Sequence, residues 1–179
     1  MAAPVYWTAE MVRALPEDGN RYETVHGELL VSPSPRMLHQ RIVARLVQEI
    51  GSYLEREPVG EVFAGGDISW SDDTLVVPDV LVAPLGETRT MDWRHVRSLM
   101  LAVEVLSPSS QRADRFTKRR LYQEVGVPLY LLVDADARSV EMWTPDVIFP
   151  TVESERVVWH PAGAGEPLVI DLARLFRAV

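Results

Sequence analysis

LAVEVLSPSSQRADRFTKRRLYQEVGVPLYLLVD, residues 101–134, is the stretch on which the fold turns. Its first six residues are apolar except for Glu104, and a run that scarcely alternates is what a strand covered on both faces requires. Ser107 and Pro108 then supply a cap and a first turn for a helix, and Gly126 followed by Pro128 supplies its stop. PLYLLVD resumes as a second apolar strand. Strand, helix and strand in this order predict a sheet with a helix packed on it.

Working outward, PLYLLVDADARSVEMW reads as a strand, a polar turn at Asp134 to Arg138 and a returning strand. Upstream, EVFAGGDISW, TLVVPDVLVAP and SLMLAVEVLSP give three strand-like segments separated by polar or Pro/Gly breaks. From Arg36 to about Glu57, Leu38, Ile42, Val43, Leu46, Ile50, Tyr53 and Leu54 recur at three- and four-residue spacing, which predicts an amphipathic helix ended by Pro58 and Gly60. Before it, RYETVHGELLVSPSP alternates like a hairpin and breaks at two Ser-Pro pairs. The tail PLVIDLARLF reads as a short strand or bend before a final helical turn. The expected fold class is α/β, in the α+β sense of a mixed sheet with helices packed on it.

The 179 residues suit one domain, 1–179, with a core over about 20–145 and a C-terminal extension over 146–179. Hydrophobic residues make up 47% and charged residues 25%, an ordinary globular balance. The absence of cysteine excludes disulfides, thiolate metal sites and a cysteine nucleophile, and suits the cytosol. No apolar run reaches the roughly 20 residues that span a bilayer, and the first residues show no basic region followed by an apolar core. The chain therefore reads as cytoplasmic, without a membrane partner. A net charge of −8 counts against a generally basic, nucleic-acid-binding surface, although a local patch or bound metal ions could reverse the sign where it matters.

Two carboxylates are out of place. Asp79 follows Pro78 inside LVVPDVLV, and Glu104 sits inside LMLAVEVL. An isolated charge in such surroundings needs a cation, a hydrogen-bond network or a metal. Lys118 precedes Leu121, Tyr122 and Val125 by three, four and seven residues, which puts it on the helical stripe facing the sheet, while Arg119 and Arg120 point to solvent. Two carboxylates and a lysine can hold a hard cation, Mg²⁺ or Mn²⁺, and assist its bound water, which suits phosphodiester hydrolysis. Blander readings stand beside this one: Asp79 as a turn cap, and Glu104 with Lys118 as a structural ion pair. Glu28, His39, Ser107, Asp114 and Tyr122 are supporting candidates, Asp114 most simply pairing with Lys118 or Arg115 on the surface. His26, His95 and His160 lack zinc-site spacing. No phosphate loop, nucleophile elbow or helical histidine pair is present.

PDVLVAP, the stretch 101–134 and RYETVHGELLVSPSPRMLHQRIVARL together resemble the Uma family of proposed bacterial restriction endonucleases, in the PD-(D/E)XK nuclease superfamily. The resemblance runs from about Thr8 to Phe176. It implies a restriction endonuclease-like core, helix, three strands, helix and strand, behind an N-terminal hairpin. It also implies DNA as substrate and Mg²⁺ or Mn²⁺ as cofactor. Asp79 takes the place of the motif aspartate, Glu104 that of the acid on the next strand, and Lys118 that of a lysine displaced onto the helix. Glu28 and His39 match recurring positions of the N-terminal signature. The superfamily's usual lysine position, two residues after the second acid, is Leu106 here. His26 stands where the family often has an acid or amide, and GVPLYL where it often has GVPEYW. The expected activity is metal-dependent endonucleolytic cleavage of DNA by a homodimer or higher homo-oligomer, since many nucleases pair subunits to cut two strands. The alternatives are an inactive nucleic-acid or protein interaction module on the same fold, and a structural homo-oligomer built on a buried ion-pair cluster.

Overall fold

The computed structural model describes residues 5–178. The first four residues of the N-terminal stretch discussed above, and Val179, lie outside it. In chain order the elements are α1 (Ala9–Arg13), β1 (Asn20–Val25), β2 (Glu28–Pro33), α2 (Met37–Leu54), β3 (Gly60–Phe63), β4 (Ile68–Ser71), β5 (Thr74–Val76), β6 (Val80–Pro84), α3 (Leu85–Thr88) and β7 (Leu101–Val105). A π-helical segment, Ala113–Lys118, then leads into α4 (Arg119–Glu124). They are followed by β8 (Tyr130–Asp134), β9 (Ser139–Trp143), β10 (Thr151–Glu153), β11 (Arg156–Trp159), β12 (Leu168–Asp171) and α5 (Leu172–Leu175).

The strands form a six-stranded sheet ordered β10-β9-β8-β7-β6-β3, a four-stranded sheet ordered β2-β1-β5-β4, and the pair β11-β12. Only β7 and β8 pair in parallel. That follows from the stretch 101–134, because parallel neighbours need a crossover long enough to hold a helix. The mixed sheet is as expected. Its alternating faces serve two cores: Val80, Val82, Leu101, Val103 and Val105 pack with Ile42, Leu46 and Ile50 of α2. Leu81, Ala83, Ala102 and Leu132 pack with Leu121 and Tyr122 of α4 and with Val25, Ile68 and Val76 of the smaller sheet. Val157, Trp159, Leu168, Ile170 and Leu175 of the C-terminal elements join the α2 core.

The hairpin β1-β2 turns through His26 and Gly27, both at positive φ, the two-residue turn whose twist matches its strands. Three expectations need correction. TLVVPDVLVAP is two strands in different sheets, because Pro78 has no N–H to give to a ladder and the chain changes sheet there. EVFAGGDISW likewise divides into β3 and β4, with Gly65 and Gly66 at positive φ between them. Leu38 is exposed, and its neighbour His39 takes the inward position at the start of α2.

The helix after β7 starts and stops as expected. Gln111 N–H donates to the Ser107 carbonyl (3.0 Å), and at the other end Val127 N–H donates to the Tyr122 carbonyl (2.9 Å) across Gly126, which sits at φ +74°. A Cβ at position 126 would meet nothing within 4 Å. Gly126→Ala should therefore cost only the backbone penalty of the left-handed conformation, about 1–2 kcal/mol, as a lower midpoint in urea denaturation with an unchanged slope.

A buried charge cluster as the candidate active site

Asp79 and Glu104 meet because of strand register. Val80 pairs with Val103 and Leu81 with Ala102, so Asp79, one residue before Val80, comes opposite Glu104. Both follow the parity that faces α4. Where β6 gives out, the Asp79 side chain replaces the ladder: its Oδ2 accepts from Val105 N–H (2.8 Å). Oδ2 also faces His39 Nε2 (2.9 Å), and Oδ1 accepts from Arg21 Nη1 (2.8 Å). Burial alone would push the Asp79 carboxyl up, but the His39 hydrogen bond and the Arg21 guanidinium outweigh it and hold Asp79 well below the usual carboxylate range.

Lys118 points inward. Its side chain is 3% exposed, and Nζ lies 3.0 Å from Glu104 Oε1, 2.8 Å from Glu23 Oε2 and 3.4 Å from Asp114 Oδ1. Burial opposes the ammonium charge, yet the carboxylates of Glu104, Glu23 and Asp114 more than offset it and keep Lys118 protonated well above neutrality. Tyr122 closes the back of the cluster by donating its hydroxyl to Glu104 Oε1 (3.2 Å). The π-helical segment carries both Asp114 and Lys118 to this face. Its Asp114 carbonyl accepts from Arg119 N–H, five residues on, and from the Tyr130 hydroxyl (3.1 Å).

All five buried charged side chains among the described residues, Glu23, Asp79, Glu104, Asp114 and Lys118, belong to this one cluster. They border a cavity of about 190 Å³ whose rim is formed by Arg21, Ser32 to Arg36, His39 and Ser107 to Ser110. Four buried acids face one buried base. With Arg21 and His39 at the edge, the four acids still outnumber the three bases. Burial, aggravated by Asp79, Asp114 and Glu23 and only partly relieved by Lys118, accordingly raises Glu104 well above the usual carboxylate range. Asp114 is raised for the same reason, and its Oδ1 has no hydrogen-bond partner.

An excess of hard, dehydrated oxygen donors is the chemistry that a divalent cation such as Mg²⁺ satisfies. As the side chains stand, no three acidic or imidazole groups among the described residues come together closely enough to hold an ion. An ion between Asp79 and Glu104 would have to displace donors now on those carboxylates. In charge and donor type the residues fit a metal; in their present pairing they hold their own cations instead.

The structure brings together Asp79, Glu104, Lys118, His39, Asp114 and Tyr122, with Ser107 at the rim. It does not bring Glu28, which is exposed at the hairpin turn opposite Val25. Asp114 does pair with Lys118, but in the interior and not on the surface. Arg119 is half-buried, its guanidinium 4.7 Å above the Trp143 ring, and not solvated as expected. Glu23 and Arg21 are the site residues that sequence reading missed. Glu23 Oε1 accepts from Val77 N–H (2.7 Å), joining the smaller sheet to the cluster.

The sequence and the fold place the chain in a known class. Residues 9–164 match the family described as "Uma2: Putative restriction endonuclease", and the chain belongs to that family. It is also similar in fold to the crystal structure of "a putative nuclease belonging to DUF820 from Anabaena variabilis ATCC 29413", with a TM-score of 0.76 and 23% identity over 95% of this chain and 97% of that one. No curated protein matches. The likeness to the crystal structure extends to the mixed sheet and its helices.

The charge excess gives a stability signature. A carboxyl whose folded pKa is raised binds protons more tightly folded than unfolded, so its contribution is full below the unfolded value and is lost as pH rises through the folded one. Glu104 and Asp114 should thus make the protein less stable at pH 8 than at pH 5.5. Glu104→Gln keeps an acceptor for Lys118 and Tyr122 while removing one charge. It should melt higher than wild type at pH 8, by about 2–4 °C for each kcal/mol relieved, and flatten the pH dependence. An unchanged slope in thermal melts across this range would show that Glu104 is not the strained group.

Proposed function

We propose that the protein is a metal-dependent endonuclease that hydrolyses DNA phosphodiester bonds at the Asp79–Glu104–Lys118 cluster, on a restriction endonuclease-like core. The observation that carries this reading is the gathering of every buried charge among the described residues at one open cavity, where the sheet register sets the two carboxylates opposite each other. Structural ion pairs have no need of a cavity, and perturbed groups lining one mark a site for chemistry. Family membership points to the same reaction class.

In this proposal Asp79 and Glu104 hold Mg²⁺ or Mn²⁺, and Glu23 and Asp114 keep Lys118 charged and in place. When bound, the ion lowers the pKa of a coordinated water and offsets charge on the phosphate. Lys118, held protonated, acts by exchanging its present contact with Glu104 for a hydrogen bond that orients the attacking water; it does not act as a base. The water oxygen bonds to phosphorus as the ester P–O bond breaks, and the departing oxygen takes a proton. The products are a phosphomonoester end and a hydroxyl end. Lys118 reaches the cluster from the helix, so the leucine at 106 leaves the site with its ammonium group.

A non-catalytic reading has one observation in its favour: both oxygens of Asp79 and all three N–H donors of Lys118 already face partners. Cleavage assays separate the two readings. Wild type should nick plasmid DNA or cut linear or single-stranded DNA with Mg²⁺ or Mn²⁺ and stop on chelation. Asp79→Asn and Glu104→Gln should each lower the rate at least about 10²-fold while still melting cooperatively. Lys118→Gln should also lose cleavage, with a stability cost of about 3–5 kcal/mol because it strands buried carboxylates, so the two carboxyl variants carry the test. Folded wild type that cuts nothing across these metals and substrates supports the interaction module.

A further inference from the structure

A phosphodiester is an anion, and this cavity is lined by four acids. Whatever substrate phosphate enters must find a cation with donors to spare. Lys118 has none, since its side chain is 3% exposed and Nζ faces Glu104, Glu23 and Asp114 within 3.4 Å. His39 does not supply one either. Its Nε2 is directed at Asp79, and its Nδ1, without a partner, is buried.

Arg21 is different. Its side chain is 31% exposed and borders the cavity. Only Nη1 is engaged, donating to Asp79 Oδ1 (2.8 Å) and to the Val77 carbonyl (3.2 Å); Nε and Nη2 have no partner among the described residues. The carbonyl and the carboxylate fix the plane of the guanidinium, so its unused edge is pre-oriented, and a guanidinium edge suits two oxygens of one phosphate. Arg36 also borders the cavity but is exposed, with no side-chain hydrogen bond among the described residues to fix its guanidinium.

We propose that Arg21 binds the phosphate that is to be cleaved, through Nε and Nη2, and places it beside Asp79. This rests on the nuclease reading and adds to it the group that recognises the substrate's charge. Arg21 thus has two tasks: Nη1 orients Asp79, and the free edge receives the phosphate. A contact to phosphate oxygens carries no base information, so the contribution of Arg21 is the same for every DNA sequence.

Fluorescence anisotropy with a short labelled DNA duplex and its single strand, in EDTA so that nothing is cut, tests the contact apart from the chemistry. Arg21→Ala should bind about tenfold more weakly for all sequences, and its plot of log affinity against log salt should be shallower by about one phosphate contact. Arg21→Gln, which keeps an N–H for Asp79 but no charge, should show the same loss of slope, and it serves if the alanine variant does not fold. With Mg²⁺ or Mn²⁺, both variants should lower kcat and raise KM. Variants that bind with wild-type affinity and slope would overturn the inference and leave the nuclease reading untouched. Wild type that binds no DNA overturns it as well. DNA binding that depends on Arg21 but is never followed by cleavage would sustain the contact and sink the nuclease reading.

Discussion

The ammonium group of Lys118, enclosed by three carboxylates, is the interaction on which the rest of the site depends. Each acid comes from a different part of the chain: Glu23 from β1, Glu104 from β7 and Asp114 from the π-helical segment. None could be buried alone as an anion at tolerable cost, and one cation makes all three burials feasible at once. The compensation is incomplete, as the raised Glu104 shows. A site left short of positive charge is poised to take up a proton or a cation, and the nuclease proposed above would use the latter.

The cluster also sits where the two larger sheets meet. β6 and β7 deliver Asp79 and Glu104 from the larger sheet, while β1 delivers Arg21 and Glu23 from the smaller one. Pro78 makes this possible by ending one ladder just before the next begins. Arg21 Nη1, bonded both to Asp79 and to the Val77 carbonyl, ties the sheets together at this point, and the Val77 N–H bond to Glu23 steadies the link between them. The geometry of the cavity is therefore inseparable from the docking of one sheet on the other. No helix among the described residues is long and apolar enough to cross a membrane.

Much of the fold was legible because its signals are local. The apolar stripe of α2, the Ser107 start and Gly126 stop of the crossover helix, and the N-terminal hairpin each follow from a few neighbouring residues. Asp79, Glu104 and Lys118 were legible as single charges in apolar surroundings. Glu23 and Arg21 were not, because in NRYETV charged and apolar residues alternate as on any half-exposed strand, and nothing local says which face will meet a second sheet. Glu28, the first residue after the turn that follows Val25, looked equally eligible for the same reason. Asp114 was read as a surface partner of Lys118 since spacing of four on a helix is the same for exposed and buried pairs. Parity alone does not separate Glu28 from Arg21 and Glu23, because Glu28 pairs with Val25 and so shares their face; it differs in lying at the turn end of that face.

The π-helical turn carries one more residue per hydrogen-bonded loop than the α-helix on either side. Asp114 and Lys118 lie at its two halves, so what reaches the cavity depends on the length of this segment as well as on its composition. Removing a single residue between positions 113 and 118 would restore an ordinary helix. It would also change the direction in which Asp114 and the Ser107–Ser110 rim face relative to Lys118. Phe116, exposed in the same turn, is free to vary in identity. The spacing around it is not. At the exposed positions of this turn the spacing therefore constrains more than the identity of the side chain, the reverse of what is usual in surface loops.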